Sequence, residues 1–449
     1  MPAQWSDSRT ITIICTLFHV LLAQGSISAQ DWALSNIQNL QRVDIRELGY
    51  PQINEVPENS SAITSLLTAS SGKIYGGTTG ENAYMFLFDP ATNKAHHLGK
   101  LGDQRTIHHA LVEDKNGFIY IGTGGVNMYE SIELSDGGTG EYEKDRFINP
   151  SLWEDIKRHF AGVPGGHLYR YDPNASERAA PVQGIFAADY SVKFVGDECN
   201  AVDLGMPLQN NMIYAMTISP KGDEIYMLTY PDGHFIVYDI DEQKFEDKGE
   251  IDKEVVFHGP ERHWRSLPRA LVCDDSGRVF TSGTGGAIVY YDPAIDNIVT
   301  TSLTIPGEQY PIHRTSDFPV VEYFTRDNKG LIYGGTSDGY LFSLDPATLK
   351  LVNLGKARSA KRLRALSVAK NGKVYFIAGE RPETSPNPCQ FYSYDPETGG
   401  FETLGLLVVD RSPHYYWRGY QFDSMTLGLD GTIYLGESER RSHLFLYIP

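Results

Sequence analysis

The sequence predicts an all-β chain: a seven-bladed β-propeller of four-stranded blades. Three observations predict it. One unit, an apolar strand, a tight turn closed by glycine and a second strand bearing Ile-Tyr, Val-Tyr or Val-Phe, recurs seven times along the 449 residues. Its copies include "LLTASSGKIYGGTTG", "LVEDKNGFIYIGTGG", "LVCDDSGRVFTSGTGG" and "LGLDGTIYLGE", with turn glycines at 72, 117, 222, 277, 330, 372 and 431. In most copies a third strand with an aromatic-Asp ending follows, as in "MFLFDP", "HLYRYDP", "IVYYDP" and "FYSYDP". Lastly, a fourth segment such as "KAHHLGK", "KLVNLGK" or "GFETLGL" completes a four-stranded unit. Such a unit is too small to bury both faces alone, so neighbours must stack into a ring.

From the N-terminus, residues 11–23, "ITIICTLFHVLLA", form a short apolar run followed by small residues up to Ala29. This pattern predicts an export signal over 1–29 and one propeller domain over 30–449, secreted or periplasmic. The run is too short to span a membrane, and no second one follows. Of four cysteines, Cys15 leaves with the signal; Cys199, Cys273 and Cys389 show no metal-type spacing. No metal-ligand spacing, phosphate loop or nucleophile elbow stands out, and a structural metal stays open; the chemistry considered below requires no cofactor. The formal net charge of −18 argues against nucleic acid or an anionic membrane as partner.

The last unit stops at "HLFLYIP", one strand short, and "QRVDIREL" at 41–48 is placed to supply it, closing the ring as a monomer. The second unit carries an insertion at about 126–165, between its second and third strands. Within it "NPSLWEDIKRHF" reads as a short helix. Second-to-third-strand loops open on the face where each inner strand enters, so this insertion is expected beside His108 and His109, with His108 turned to the opposite side of its strand.

Eight residues before each turn glycine stand Thr64, His109, Tyr214, Arg269, Glu322, Arg364 and Asp423. All are polar, and they mark one level near the mouth of the channel. A wet mouth would explain polarity alone. Loops on the same face add His258, His263, Trp264 and Arg265, and then Trp417 and Arg418 with several tyrosines. Aromatic rings stack on sugars and Arg forks bind carboxylate or sulfate, so an anionic polysaccharide is the expected partner. On a uronate polymer, Arg269 would neutralise the carboxylate, His109 would remove the C5 proton, and Tyr214 would protonate the leaving oxygen or act as the base. Glu322 and Asp423 leave a glycoside hydrolase open; across the channel from His109, they are better placed to bind Arg364 or sugar hydroxyls. A non-catalytic glycan-binding or scaffold propeller also stays open.

On the residues in "HHALVEDKNG" and "IYAMTISPKG", the chain resembles the seven-bladed β-propeller polysaccharide lyases, the ulvan lyases above all. The resemblance implies β-elimination on a uronate polysaccharide, with His109 and Tyr214 as base and acid and Arg269 as neutraliser by position. His108, Tyr230, His263, Trp264, Arg265, Glu322, Arg364, Trp417 and Arg418 would contact substrate. The chain departs from the family pattern at two places. Tyr129 stands near where a second histidine is expected, and Tyr230 stands where an arginine is expected. His159 or His167 in and beside the insertion are the available substitutes.

Overall fold

The computed structural model describes residues 37, 40–44, 56, 58–127, 131–133, 139–141, 150–175, 183–186, 192–195, 198–251, 255–256, 263–264, 267–307, 319–358, 361–379, 389–412, 415–419, 421–438 and 442–449. The expected leader lies outside them. Seven antiparallel four-stranded sheets are formed, one per repeat. Blade 1 is Ala62–Thr68, Ile74–Thr79, Tyr84–Asp89 and Lys94–Lys100, in sequence order from the axis outward. Blades 3 to 6 repeat that order, with inner strands Met212–Ile218, Val272–Cys273, Val321–Arg326 and Leu363–Val368.

The repeat's turn chemistry explains its regularity. All seven turn glycines have positive φ, from 67° at Gly222 to 90° at Gly277 and Gly431, where a side chain would be strained. The aspartate opening several turns accepts two backbone N–H groups; Asp114 takes those of Asn116 at 2.8 Å and Phe118 at 2.9 Å. Asp274 and Asp327 do the same in their blades. Between blades, apolar faces interlock: Ala215, Tyr226, Leu228 and Phe235 of blade 3 meet Leu271, Cys273, Val279 and Tyr291 of blade 4.

Blade 7 comprises Phe422–Leu427, Ile433–Glu437 and His443–Tyr447, and its outer strand is Leu40–Asp44 from the other end of the chain. That strand runs antiparallel with Leu40 opposite Tyr447 and Asp44 opposite His443. It is the expected closure, overlapping the first half of the 41–48 segment and starting one residue earlier.

Blade 2 is the irregular one. Its strands are Leu111–Glu113, Ile119–Gly122, Leu168–Tyr171 and Ala201–Gly205. The expected insertion contains helix α1, Pro150–Ala161. A second insertion, unmarked in the sequence reading, separates the third and fourth strands and holds a hairpin of Gln183–Phe186 with Val192–Val195. No helix among the described residues is long and apolar enough to cross a membrane.

Candidate functional site

The ring position coincides with a bulge. In five blades the inner strand slips register across that residue, at Thr64, Tyr214, Glu322, Arg364 and Asp423. In blades 2 and 4 the inner strand begins only after it, at Leu111 and Val272. A bulge re-aims a side chain, and here it lets unlike residues meet at the axis.

The level is packed, which goes against the alternative of a solvated rim. Thr64, Tyr214, Arg269, Glu322, Arg364 and Asp423 are buried, Arg269 to 1% exposure; His109 alone of the seven is half-buried. Their side chains bond to one another and to backbone.

One half of the channel is a column of rings. His109 stacks on His108 with centroids 4.2 Å apart, and His108 on Tyr214 at 4.4 Å, nearly parallel. Tyr214 leans on Tyr230 at 5.0 Å, and Phe160 of α1 meets Tyr230 edge-on at 5.5 Å. Helix α1 thus seats Ile156 and Phe160 against Met212, Tyr214, Tyr230 and Leu267, over the entry side of blades 2 to 4. Two tyrosines separate it from the histidines. The expectation that His108 faces away from His109 is overturned. His109 takes φ of 47° ahead of the strand, so strand alternation does not apply and both rings join one column.

The other half is a charge network. Arg269 donates to His108 Nε2 and lies 3.3 Å from Glu322, while Arg362 reaches the same Glu322 oxygen at 3.1 Å. Arg364 donates to Asp423 Oδ1 at 2.7 Å, with Arg269 3.8 Å away. Gln421 and Ser438 donate to Asp423 Oδ2. Burial alone would raise the Asp423 carboxyl. The guanidiniums of Arg364 and Arg269, helped by Ser438 and Gln421, instead hold it well below 3.8.

The histidines are neutral here. Because Arg269 can only donate, His108 Nε2 is the accepting nitrogen and its Nδ1–H donates to the Tyr214 carbonyl at 2.9 Å. Burial, with His109 and Arg269 beside it, keeps His108 well below 6.5. His109 places Nδ1 2.9 Å from the Arg269 carbonyl and Nε2 2.7 Å from that of Asp423. A neutral ring donates to one of these carbonyls. A second proton would satisfy both, but burial first and Arg269 next push that titration down to about 4. His109 is therefore a tie between blades 2, 4 and 7, with neither nitrogen turned to solvent.

The sequence-derived trio His109, Tyr214 and Arg269 does converge, joined through His108. Glu322 and Arg364 join the same cluster, and Tyr230 ends the ring column. His263 and Trp264 lie on a short strand, and Trp417 and Arg418 on another, Tyr415–Arg418. Arg265 lies outside the described residues. Of the possible substitutes, His167 pairs with Asp203 at 2.9 Å, away from the column.

Three members were missed. Tyr323, one residue past the ring position, meets His109 edge-on at 5.0 Å, and its hydroxyl donates to the Met425 carbonyl at 2.7 Å. Burial pushes its phenol up to about 12. Its signal was readable, since the equivalent positions hold Ser65, Ala110, Ala215, Ala270, Ala365 and Ser424, all small. Arg362 and Gln421 stand two residues before the ring, where the other blades carry Ala62, Ile107, Met212, Leu267 and Val320.

The sequence matches no protein-family model and no curated relative. Solved structures share the fold. Virginiamycin B lyase from Staphylococcus aureus superposes with a TM-score of 0.52 at 10% identity, over 91% of this chain and 99% of that one. A streptogramin B lyase gives 0.52 at 12% identity, over 93% and 99%. The extracellular domain assigned to a hybrid two-component system of B. thetaiotaomicron gives 0.51 at 14% identity, over 91% of this chain; the chain spans 39% of that one. At these identities the likeness is one of fold.

Proposed function

We propose that this chain is an exported propeller that binds an anionic, uronate-bearing polysaccharide on the face carrying the blade 2 insertion, and that the ring at the axis is its scaffold. One observation carries the scaffold reading: both His109 nitrogens are directed at backbone carbonyls, 2.9 and 2.7 Å away, so neither nitrogen of the expected base is aimed at a polymer. Tyr214 and Arg269 beside it are buried to 0% and 1% exposure. The ligand class rests on the Trp, Tyr and Arg residues of the entry-face loops, Trp264, Arg265, Trp417 and Arg418 among them, which suit sugar rings and carboxylates. An extracellular domain among the fold neighbours is consistent with export.

A second reading is a polysaccharide lyase acting by β-elimination. The convergence of His109, Tyr214 and Arg269 from three blades favours it, since those types in one cluster are what the reaction needs. Two fold neighbours carry lyase names, for other substrates.

One experiment separates the readings. Uronate polysaccharides, ulvan included, are incubated with the full chain while ultraviolet absorbance of the unsaturated uronate is followed, and binding is measured in parallel. Binding without absorbance change, lost in Trp264→Ala or Trp417→Ala, supports the binder. Product formation abolished by His109→Ala, with binding retained, establishes the lyase. Absence of binding to any uronate polymer overturns both.

A further inference from the structure

Each blade ends in an outer edge strand, whose outward N–H and C=O groups can pair with another chain unless something blocks them. Six of the seven outer strands carry charge, among them Lys100, Asp203, Glu246, Lys356, Glu402 and Arg42, one to a blade. In blades 1, 2, 3, 5 and 6 the strand also holds a glycine with φ between 95° and 118°. The outer strand of blade 4, Asn297–Thr304, is the longest at eight residues and has neither safeguard. Residues 298–305, "IVTTSLTI", contain no charge, proline or glycine, and six of the eight are β-branched. That is the composition of a self-pairing strand. The acid just before it, Asp296, is already paired with Lys248 at 2.7 Å.

The backbone shows which groups are on offer. In an antiparallel ladder, residues alternate between those bonded to the partner strand and those whose N–H and C=O face away. Ile298 stands opposite Tyr291, and its N–H donates to Asn297 Oδ1 at 2.9 Å, which places it on the outer side. Thr300, two residues on and opposite Val289, is outward as well, and Val299 between them belongs to the inward set. Beyond Thr300 the strand bulges, and the Leu303 N–H turns to Thr301 Oγ1 at 3.1 Å. Among the described residues no strand pairs with the outer side of Asn297–Thr304.

We infer that two copies of this chain pair through the blade 4 edge, antiparallel about a two-fold axis at Val299. Ile298 of one copy and Thr300 of the partner subunit exchange two backbone hydrogen bonds, and the symmetric pair exchanges two more. Val299 meets Val299 of the partner subunit at the non-bonded position, where side chains come closest. The same few residues supply both sides, as a two-fold contact requires, and this self-complementarity selects a second copy as the occupant. Two chains of formal charge −18 repel each other, and this edge brings no charge of its own to the contact. Asn297 caps Ile298 in the single chain and gives it up on pairing. Because the paired strands run antiparallel, the entry faces of the two copies point in opposite directions and both stay open.

The contact is short, below the area of a standard interface, so it is read at high protein concentration. Sedimentation equilibrium of the full chain is expected to show a monomer–dimer equilibrium that tightens with added salt as the repulsion is screened. Thr300→Pro removes an N–H that the fold does not use and is expected to weaken dimerisation about thirtyfold, through loss of two of the four hydrogen bonds. Thr300→Lys gives this edge the guard the other blades have and is expected to weaken it likewise at low salt. Asn297→Ala frees the Ile298 N–H and is expected to tighten the dimer about fivefold. Val299→Cys is expected to form a disulfide-linked dimer on mild oxidation beyond any seen in the parent, and Ser302→Cys, off the axis, is not. A chain that stays monomeric at every concentration overturns the inference. So does a dimer unchanged in both Thr300 variants, or one that Val299→Cys does not cross-link. Should Thr300→Pro fail to fold, Thr300→Lys at the same exposed position decides. Polysaccharide binding on the entry face is unaffected in all of these variants, so failure here and failure of the glycan reading are distinguishable.

Discussion

Asp423 offers the sharpest test of the channel as a buried ionic scaffold. It is 1% exposed and accepts from Arg364 at 2.7 Å, Gln421 at 2.8 Å and Ser438, with Arg269 at 3.8 Å. Asp423→Leu removes the negative charge but leaves the Arg364 guanidinium buried. Breaking one side of a buried pair costs about 3–5 kcal/mol. The unfolding entropy is about 2.1 cal/mol/K per residue, or about 0.9 kcal/mol/K over the roughly 420 residues from 30 to 449, so the melting temperature falls by about 3–6 °C. The decisive comparison is the double variant Asp423→Leu/Arg364→Met. Replacing a whole buried pair by apolar groups is often neutral or stabilising, so the double variant is expected to be more stable than Asp423→Leu alone, by about 1–3 kcal/mol. Arg364 also donates to the Gly379 carbonyl at 3.2 Å, which limits the recovery. Equilibrium urea unfolding of the four proteins gives the cycle. A double variant less stable than Asp423→Leu would refute the reasoning, as would a single variant within about 0.5 kcal/mol of the parent, the range of an ordinary surface change.

Other consequences follow from the same contacts. His97 and His109 titrate at about 4 in the fold and His108 well below 6.5, all three first through burial. Their folded values are lowered, so the unfolded chain binds more protons. Stability is full above pH 6.5 and is lost as pH falls from there toward 4, by up to about 1.4 kcal/mol per pH unit for each group. Equal urea midpoints at pH 7 and pH 5 would contradict this. Phe160→Ala removes a side chain that is 3% exposed and seated on Tyr230; a cost of about 3–5 kcal/mol and faster amide exchange in Pro150–Ala161 are expected, and unchanged exchange would mean α1 is held elsewhere. Deleting residues 1–44 strips the outer strand of blade 7 and leaves His443–Tyr447 as an open edge, so lower stability and concentration-dependent self-association are expected in sedimentation.

The architecture was legible because each repeat carries its own local signals. A glycine at positive φ, an aspartate capping the turn and an aromatic-Asp strand end are each fixed within about ten residues, and they recur in register. The closing strand was legible for a different reason: blade 7 lacked a strand and the chain had one to spare. The second insertion of blade 2 was not, since "YDPNASERAA" reads like the same third-strand ending as in its neighbours and nothing local delays the fourth strand to Ala201. At the site, counting back from the glycines found the right residues but the wrong environment. Polarity along a sequence does not say whether a group faces water or another charge. That depends on how far the opposing side chains reach, and here Tyr323, Arg362 and Phe160 reach across from positions the count did not include.

The division of the channel bears directly on function. Blades 2 and 3 fill their side with rings, and blades 4 to 7 fill theirs with Arg269, Glu322, Arg362, Arg364 and Asp423. Arg269 joins the halves: its guanidinium bonds His108, Glu322 and the region of Asp423, and its carbonyl faces His109. For these groups to act on a polymer at the insertion face, α1 and Tyr230 would have to leave together. Burial of that kind is a reason to seek the proposed ligand away from the ring, at the Trp and Arg residues that the sequence assigns to the entry-face loops. The lyase and binder readings thus differ in a structural cost, and the Phe160→Ala variant measures it. A lyase that works by opening α1 should turn over faster when that anchor is removed, whereas a scaffold ring gains no activity from its loss.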